Sequence, residues 1–314
     1  MRTVGSALRL AALAGALLAP CVAQAARYVG IDADVRFEML EGERSRARLH
    51  LLGASVRETI ADSRGDRLIL FGMVEARDDL SEVMLHELYA RHKGPLGAWA
   101  VTVGRFRLPY GLMTDFDASR LLYGTPHETM LGMESDNGAM LSVARGAVNG
   151  AVSLTQGYGH HHPPRLPGHG IAMARVGVTP GETEEVSFGL SAAYGRTAHA
   201  HDAEMTTRRA LVGADATFYA GRWLGRVEAS AGRIDGRTTS AGFVALDAAL
   251  APGLDLNLAA SAILNGPMSA DEYVAGLTWR PRWLNVRGGY RHGGVDEGRH
   301  EVTLQAYRLF ALGS

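Results

Sequence analysis

The chain has 314 residues, with 32 basic against 33 acidic side chains and a single cysteine. That balance supplies no basic field for nucleic acid, and one cysteine excludes a disulfide framework or a thiolate metal cluster. Apolar residues make up 46%, yet no stretch after the N-terminus approaches the ~20 apolar residues of a spanning helix, so any membrane crossing must be made by strands.

Residues 1–25 read as a secretory signal peptide. Arg2 and Arg9 form its positive end, Leu10 to Leu18 its apolar centre, and Ala23-Gln24-Ala25 a small-residue cleavage site. Cleavage would remove Cys21 and move the formal charge from −1 to about −3. The exported remainder, residues 26–314, would then carry no thiol chemistry and no covalently attached haem.

The first exported segment sets a pattern that the rest repeats. From Arg27 to Met39, Val29, Ile31, Ala33, Val35, Phe37 and Met39 share one face, and Asp32, Asp34, Arg36 and Glu38 share the other. Strict alternation marks a strand with two different faces. Burying those charges in a dry core would be costly, whereas a water-filled lumen removes the cost. Arg44 to Val56 repeats it, with Ala47, Leu49 and Leu51 opposite Arg46, Arg48 and His50. Asp66 to Arg77 alternates weakly, and in Glu82 to His92 the period alone also permits a short amphipathic helix.

Gly97 to Arg107 ends at Leu108-Pro109-Tyr110-Gly111, where proline stops a ladder and glycine lets the chain turn. Trp99, Val101 and Val103 share a phase with Arg105 and Arg107, and a bulge near Gly104 would turn both arginines inward. Met113 to Asn137 is long, mixed in polarity and aperiodic, as expected of a constriction loop folded into a barrel. Later segments are Gly138–Gly146, Ala151–Tyr158, Ile171–Val178, Glu185–Arg196, Thr207–Tyr219 and Arg222–Ile234. Thr238–Leu250, Leu254–Leu264, Glu272–Arg280, Trp283–His292 and His300–Phe310 follow. The first pair is expected to turn at Val148-Asn149-Gly150. Tyr194, Phe218, Tyr219, Trp223, Trp279, Trp283 and Phe310 fall at segment ends, as interfacial girdles require. The expectation is all-β: a transmembrane antiparallel barrel of about 16 strands, wide enough for an aqueous channel.

The stretch Glu87-Leu88-Tyr89 through Gly104-Arg105-Phe106-Arg107-Leu108-Pro109-Tyr110-Gly111 resembles the strand, turn and strand signature of the phosphate-selective porin O/P superfamily. That group includes the barrels of porin–cytochrome conduits. The resemblance implies an outer-membrane porin, makes Glu82 to His92 a strand, and implies a homotrimer. It does not carry phosphate over as a substrate, because Lys93 is the only lysine.

Candidate pore-lining residues follow from the phase. The wall set is Arg36, Arg46, Arg48, Arg105, Arg107, Arg209, Arg226 and Arg287, and the loop set is Asp115, Asp117, Arg120, Glu128, Glu134 and Asp136. Arginine forks facing an acidic loop would filter by charge; mutual pairing that stiffens the wall is the other reading of the same residues. His160, His161, His162 and His169 in one proline-rich loop are candidate ligands for zinc, copper or nickel. No Gly-x-Ser-x-Gly elbow is present, and no enzyme is expected. The expected function is passive diffusion of small hydrophilic solutes or ions across a bacterial outer membrane, without a cofactor. The alternative is a sleeve around a periplasmic multihaem cytochrome, which must come from a partner since the chain has no Cys-x-x-Cys-His.

Overall fold

The computed structural model describes residues 24–313 apart from 64, 114–129, 164–167, 182–184, 200, 201, 266, 267 and 294–298. The signal peptide lies outside the described residues up to residue 23. Alternating side chains build the strands β1 (Gln24–Leu40), β2 (Arg46–Asp62), β3 (Gly65–Arg77), β4 (Glu82–Lys93) and β5 (Trp99–Arg107). After the long connection come β6 (Ser135–Arg145), β7 (Val148–Thr155), β8 (Ile171–Val178), β9 (Val186–His199), β10 (Asp202–Ala220) and β11 (Trp223–Ile234). The last are β12 (Arg237–Ala251), β13 (Leu254–Asn265), β14 (Met268–Trp279), β15 (Asn285–Gly293) and β16 (His300–Gly313).

Each strand pairs antiparallel with its sequence neighbours, and β1 pairs with β16 through Ile31 and Phe310, closing the barrel. Closure removes every sheet edge, which a strand in lipid cannot leave unpaired. On β1, Ile31, Val35, Phe37 and Met39 are exposed outward, while Asp32, Asp34 and Glu38 are buried against the lumen side. Successive connections alternate between two rims. One rim carries the long connections 108–134 and 156–170; the other carries both termini and short turns such as 146–147 and 221–222. All four tryptophans (Trp99, Trp223, Trp279 and Trp283) lie at this second, turn rim.

The structure corrects several local expectations. Arg145 pairs with Val148, so the hairpin turns at Gly146, whose φ is 57°, and Asn149-Gly150 lie inside β7. Pairing through Gly104 is uninterrupted on both sides, so there is no bulge there. Instead Gly104 adopts φ 122°, and a Cβ would sit 2.3 Å from the Leu88 carbonyl oxygen. The extra residue lies one strand away: Met73 pairs with Glu87 and Val74 with Leu85, leaving His86 bulged. A bulge breaks the two-residue period, and His86 and Glu87 are both buried. A second bulge at His50, between the pairs Asp34–Leu51 and Val35–Leu49, puts Leu51 inside with 1% exposure, not on the lipid face. Tyr219 sits with Arg226 and Asp247 in a lumen-side pocket, so it is not part of the outer girdle.

Candidate functional site: the barrel lumen

Most of the expected wall arginines are ion-paired. Arg36 contacts Asp34 at 3.0 Å, Arg46 and Arg48 both hold Glu38 at 2.8 and 2.6 Å, Arg107 holds Glu87 at 3.1 Å, and Arg226 holds Asp247 at 2.7 Å. Arg287 donates to Gln305 Oε1 at 3.2 Å. Arg77 with Glu75 and Arg175 with Asp215 extend the same bracing at 2.8 and 2.6 Å. Gln305 and Tyr307 on β16 donate to Asp34 and Asp32 of β1, tying the closure seam from within. An arginine beside a buried carboxylate offsets the cost of removing both from water.

Arg105 and Arg209 do something else. Arg105 is 3% exposed and donates to the carbonyls of Leu85, His160 and His162. Arg209 is 8% exposed and donates to Thr197 Oγ1 at 2.9 Å and to the Met130 carbonyl. Arg105 is spent on backbone carbonyls and Arg209 on one carbonyl and one hydroxyl, and they anchor connections within the lumen.

The connection after β5 turns into the barrel. Pro109 has no N–H for the ladder, and Gly111 takes φ 54° with its Cα so close to the wall that a Cβ would lie 2.6 Å from the Glu228 carboxylate. Tyr110 donates to Ser230 Oγ at 3.1 Å, Gly111 N–H to Ser191 Oγ at 3.0 Å, and Leu112 N–H to Glu228 Oε2 at 3.0 Å. Burial in this setting pushes the Tyr110 hydroxyl up to about 12, so it is a neutral donor. The returning arm passes Gly132, at φ 72°, where a Cβ would lie 2.5 Å from Arg209 Nη2. Leu108, Tyr110, Met113, Met130, Leu131 and Met133 pack on Ile171, Met173, Ala193, Leu211 and Ala241, which face inward from β8, β9, β10 and β12. Leu112 packs with Phe243, Ala245 and Val274. Burying each large side chain here contributes about 1.5–3 kcal/mol before ordering entropy is subtracted.

Of the six loop residues expected to line the passage, Asp115, Asp117, Arg120 and Glu128 lie outside the described residues. Glu134 is 7% exposed and accepts from His86 Nε2 at 3.0 Å. Burial would raise its carboxyl, but the His86 hydrogen bond, with the charges of His86, Arg107 and Arg77, holds it at about 2. Asp136 belongs to β6, is fully buried, and takes the N–H groups of Gly157 and Gly159. Both are pins between connections.

The histidine segment is a second inward element. Asp136 and Arg105 draw 157–162 over the mouth, where His160 is 4% exposed with both ring nitrogens unpaired. Its ring centre lies 4.0 Å from that of His161 and 5.4 Å from that of His86. Burial, reinforced by His161 and His86, pushes the His160 imidazole down to about 2. The four histidines expected to ligate metal do not gather. His161 faces Glu82 at 3.4 Å, while His162 and His169 turn their Nε2 atoms to the carbonyls of His199 and Ala203. Among the described residues no three His, Cys, Asp or Glu side chains are placed to hold a metal ion.

Sequence reasoning missed His86 and Glu75 because their roles depend on cross-strand register; the phase does place Glu228 inward, but not its hold on the Leu112 N–H. It also missed the apolar inner patch, since inward apolar residues look lipid-facing in sequence.

No family model matches this chain, and no curated protein matches it. Solved structures do. The trimer form of OmpT, an outer membrane protein of Vibrio cholerae, superposes with a TM-score of 0.71 at 14% identity, covering 91% of this chain and 99% of that one. An anion-selective porin from Comamonas acidovorans gives 0.67 at 13% identity, covering 92% and 100%. OmpF of Salmonella typhi gives 0.65 at 14% identity, covering 92% and 98%. At such identities the likeness concerns the fold. The chain is a sixteen-stranded antiparallel barrel that resembles known outer-membrane porins.

Proposed function

We propose that this protein is an outer-membrane porin for passive diffusion of small hydrophilic solutes or ions. The observation that carries the reading is a closed barrel, apolar outside and ion-paired inside, whose longest connection descends at both described ends onto the inner wall. Residues 1–25 act as the cleaved export signal and 26–314 form the barrel, so that cleavage trims Gln24 and Ala25 from the start of β1. Selection is by size, set by the 108–134 connection, and weakly by charge, because the wall arginines are matched by acids. Asp115, Asp117, Arg120 and Glu128 complete the rim of the passage in this reading. The O/P-type motif around Gly104 to Gly111 fits the inward turn, but with Lys93 the only lysine the lysine-rich trap of phosphate selectivity is missing. A sleeve around a multihaem cytochrome needs an open lumen, and the arms anchored at Gly111 and Gly132 occupy it. A homotrimer, the form in which the Vibrio cholerae OmpT barrel was solved, is the assembly we expect.

Single-channel recording of the mature chain in a planar bilayer, under a salt gradient, tests the reading. Stable steps with a small reversal potential support it. A correctly folded barrel that stays silent sinks it.

A further inference from the structure

The outer wall carries charges that diffusion through the lumen does not use. Arg196 on β9, Arg208 on β10 and Arg233 on β11 are exposed near the loop rim. The alternation turns them away from the lumen, since their neighbours Thr197, Arg209 and Ile234 all point inward. Arg196 pairs directly with Arg208, and Arg233 lies diagonally across from Arg208, opposite Ala210. Like charges set opposite each other on one face of a sheet are destabilising. Arg208 donates to the Tyr194 hydroxyl at 2.6 Å, and its guanidinium lies 5.5 Å from that ring centre. Arg196 and Arg233 make no ion pair or side-chain hydrogen bond among the described residues. Asp235, in the turn beside them, accepts from the Arg208 N–H at 2.7 Å. Three arginines less this one aspartate leave the cluster a formal charge of +2.

Two residues further from the rim the same face turns apolar. Tyr194 and Leu154 wall an outer groove of about 930 Å³ whose floor is made of small side chains, Ala172, Ala192, Ala210 and Ala231. It crosses the strands from β5 to β11, and at about 4.8 Å per strand it is broad enough for more than one acyl chain. The longer connections of outer-membrane barrels face outward. That puts the arginines at the headgroups of the outer leaflet and the groove in its acyl layer. A zwitterionic lipid would fill the groove and leave the arginines unpaired; an inorganic anion would do the reverse. A lipid carrying phosphate monoesters satisfies both. We propose that this outer face is a docking site for a phosphate-bearing lipid of the outer leaflet, with its phosphates on Arg196, Arg208 and Arg233 and its acyl chains in the groove. The inference rests on the membrane placement in the porin reading and does not depend on conduction.

Native mass spectrometry of the folded barrel in detergent tests it by counting bound lipid. The probes are diphosphoryl lipid A, dioleoylphosphatidylcholine and inorganic phosphate. Lipid A should bind saturably, more tightly than phosphatidylcholine, and should not be displaced by phosphate. Arg196→Gln and Arg233→Gln should each weaken it by roughly tenfold, the usual size of one charge-assisted hydrogen bond. Neither variant removes a partner, and Arg196→Gln relieves the repulsion with Arg208. The thermal midpoint of the lipid-free barrel should therefore hold or rise, while the increase on adding lipid A shrinks. Ala192→Trp, which fills the groove floor, should weaken lipid A with all three arginines in place. Equal binding of the two lipids, displacement by inorganic phosphate, or parent affinity in both arginine variants would overturn the proposal. Cross-linking that places a second copy over Ala192 in the parent chain would overturn it too. A barrel silent in bilayers that still retains lipid A keeps this site and loses the porin reading. A conducting barrel that does not discriminate among the probes loses the site and keeps the porin.

Discussion

Along β1 the inward positions are Asp32, Asp34, Arg36 and Glu38; along β8 and β12 they are Ile171, Met173, Ala241, Phe243 and Ala245. Both walls alternate with the same two-residue period. The first is covered by its own counter-ions and donors, and the second by the arms of the 108–134 connection. Inward polarity in this barrel thus tracks what covers the wall: charge where partners of opposite charge or polar donors do, apolar surface where an apolar arm does. The charged wall braces itself through arginine pairs. The apolar wall is a seat for the two arms of that connection.

The comparison breaks most severely if the seat is emptied. Gly111→Val places a Cβ 2.6 Å from the Glu228 carboxylate at a φ of 54°, and Gly132→Val places one 2.5 Å from Arg209. Together they should unseat both arms, raise unitary conductance several-fold, and lower the thermal midpoint, as loss of an apolar cluster does. Single-channel recording and thermal unfolding in detergent read the two effects.

Acid should loosen the same elements more gently. His160, in its seated place, faces His161 on its own segment, His86 on β4, and Glu134 and Arg77 beyond them. It stays neutral when seated, with its value pushed from 6.5 to about 2, so the released segment binds more protons as pH falls below 6.5. Glu134 acts in the same sense below 4.5, since its carboxyl is held at about 2 only while paired. The contribution of His160 to the seated form is therefore lost downward from 6.5, and that of Glu134 downward from 4.5. Conductance measured from pH 7.5 to 4 should rise, and His160→Phe should flatten the upper part of that profile. An unchanged profile in the variant would remove His160 as the cause.

The charged wall should respond by selectivity. Arg36→Met leaves the Asp34 carboxylate, which is 1% exposed, without its arginine and with Gln305 still donating to it, and should cost about 1–3 kcal/mol while shifting the reversal potential toward cations. Arg107→Met should shift it the same way by releasing Glu87. The smallest effect belongs to Arg299→Ala at the loop rim. Its contact with Glu43 at 3.3 Å is half exposed on both sides, and chemical denaturation should move by less than ~0.5 kcal/mol.

How much of this is legible in the sequence depends on the range of the interaction. The β8 span Ile171–Val178 and the faces of β1 follow from local alternation, and the structure has them where the pattern puts them. Bulges do not, because a single inserted residue such as His50 or His86 flips every later side chain without changing composition. Arg105 and Arg209 read as pore charges because phase reveals direction but not partner; their carbonyl acceptors lie 55 and 79 residues away. Asn149-Gly150 is a favourable turn pair, yet Gly146 three residues earlier fits the register set by Arg145 and Val148. The inner apolar patch is illegible for a deeper reason: Met173 facing a buried arm and Val176 facing lipid are equivalent choices at the level of hydrophobicity.

The most direct test of the account exploits the pairing of Arg107 with Ser135, which lets a short turn close β5 onto β6. Replacing residues 108–134 with a Gly-Ser turn and recording single channels beside the parent chain measures what the connection does. The account predicts stable channels of several-fold larger conductance from the shortened barrel, with little change in ion preference. Equal conductance from two folded barrels would contradict the claim that the seated connection sets the width of the pore.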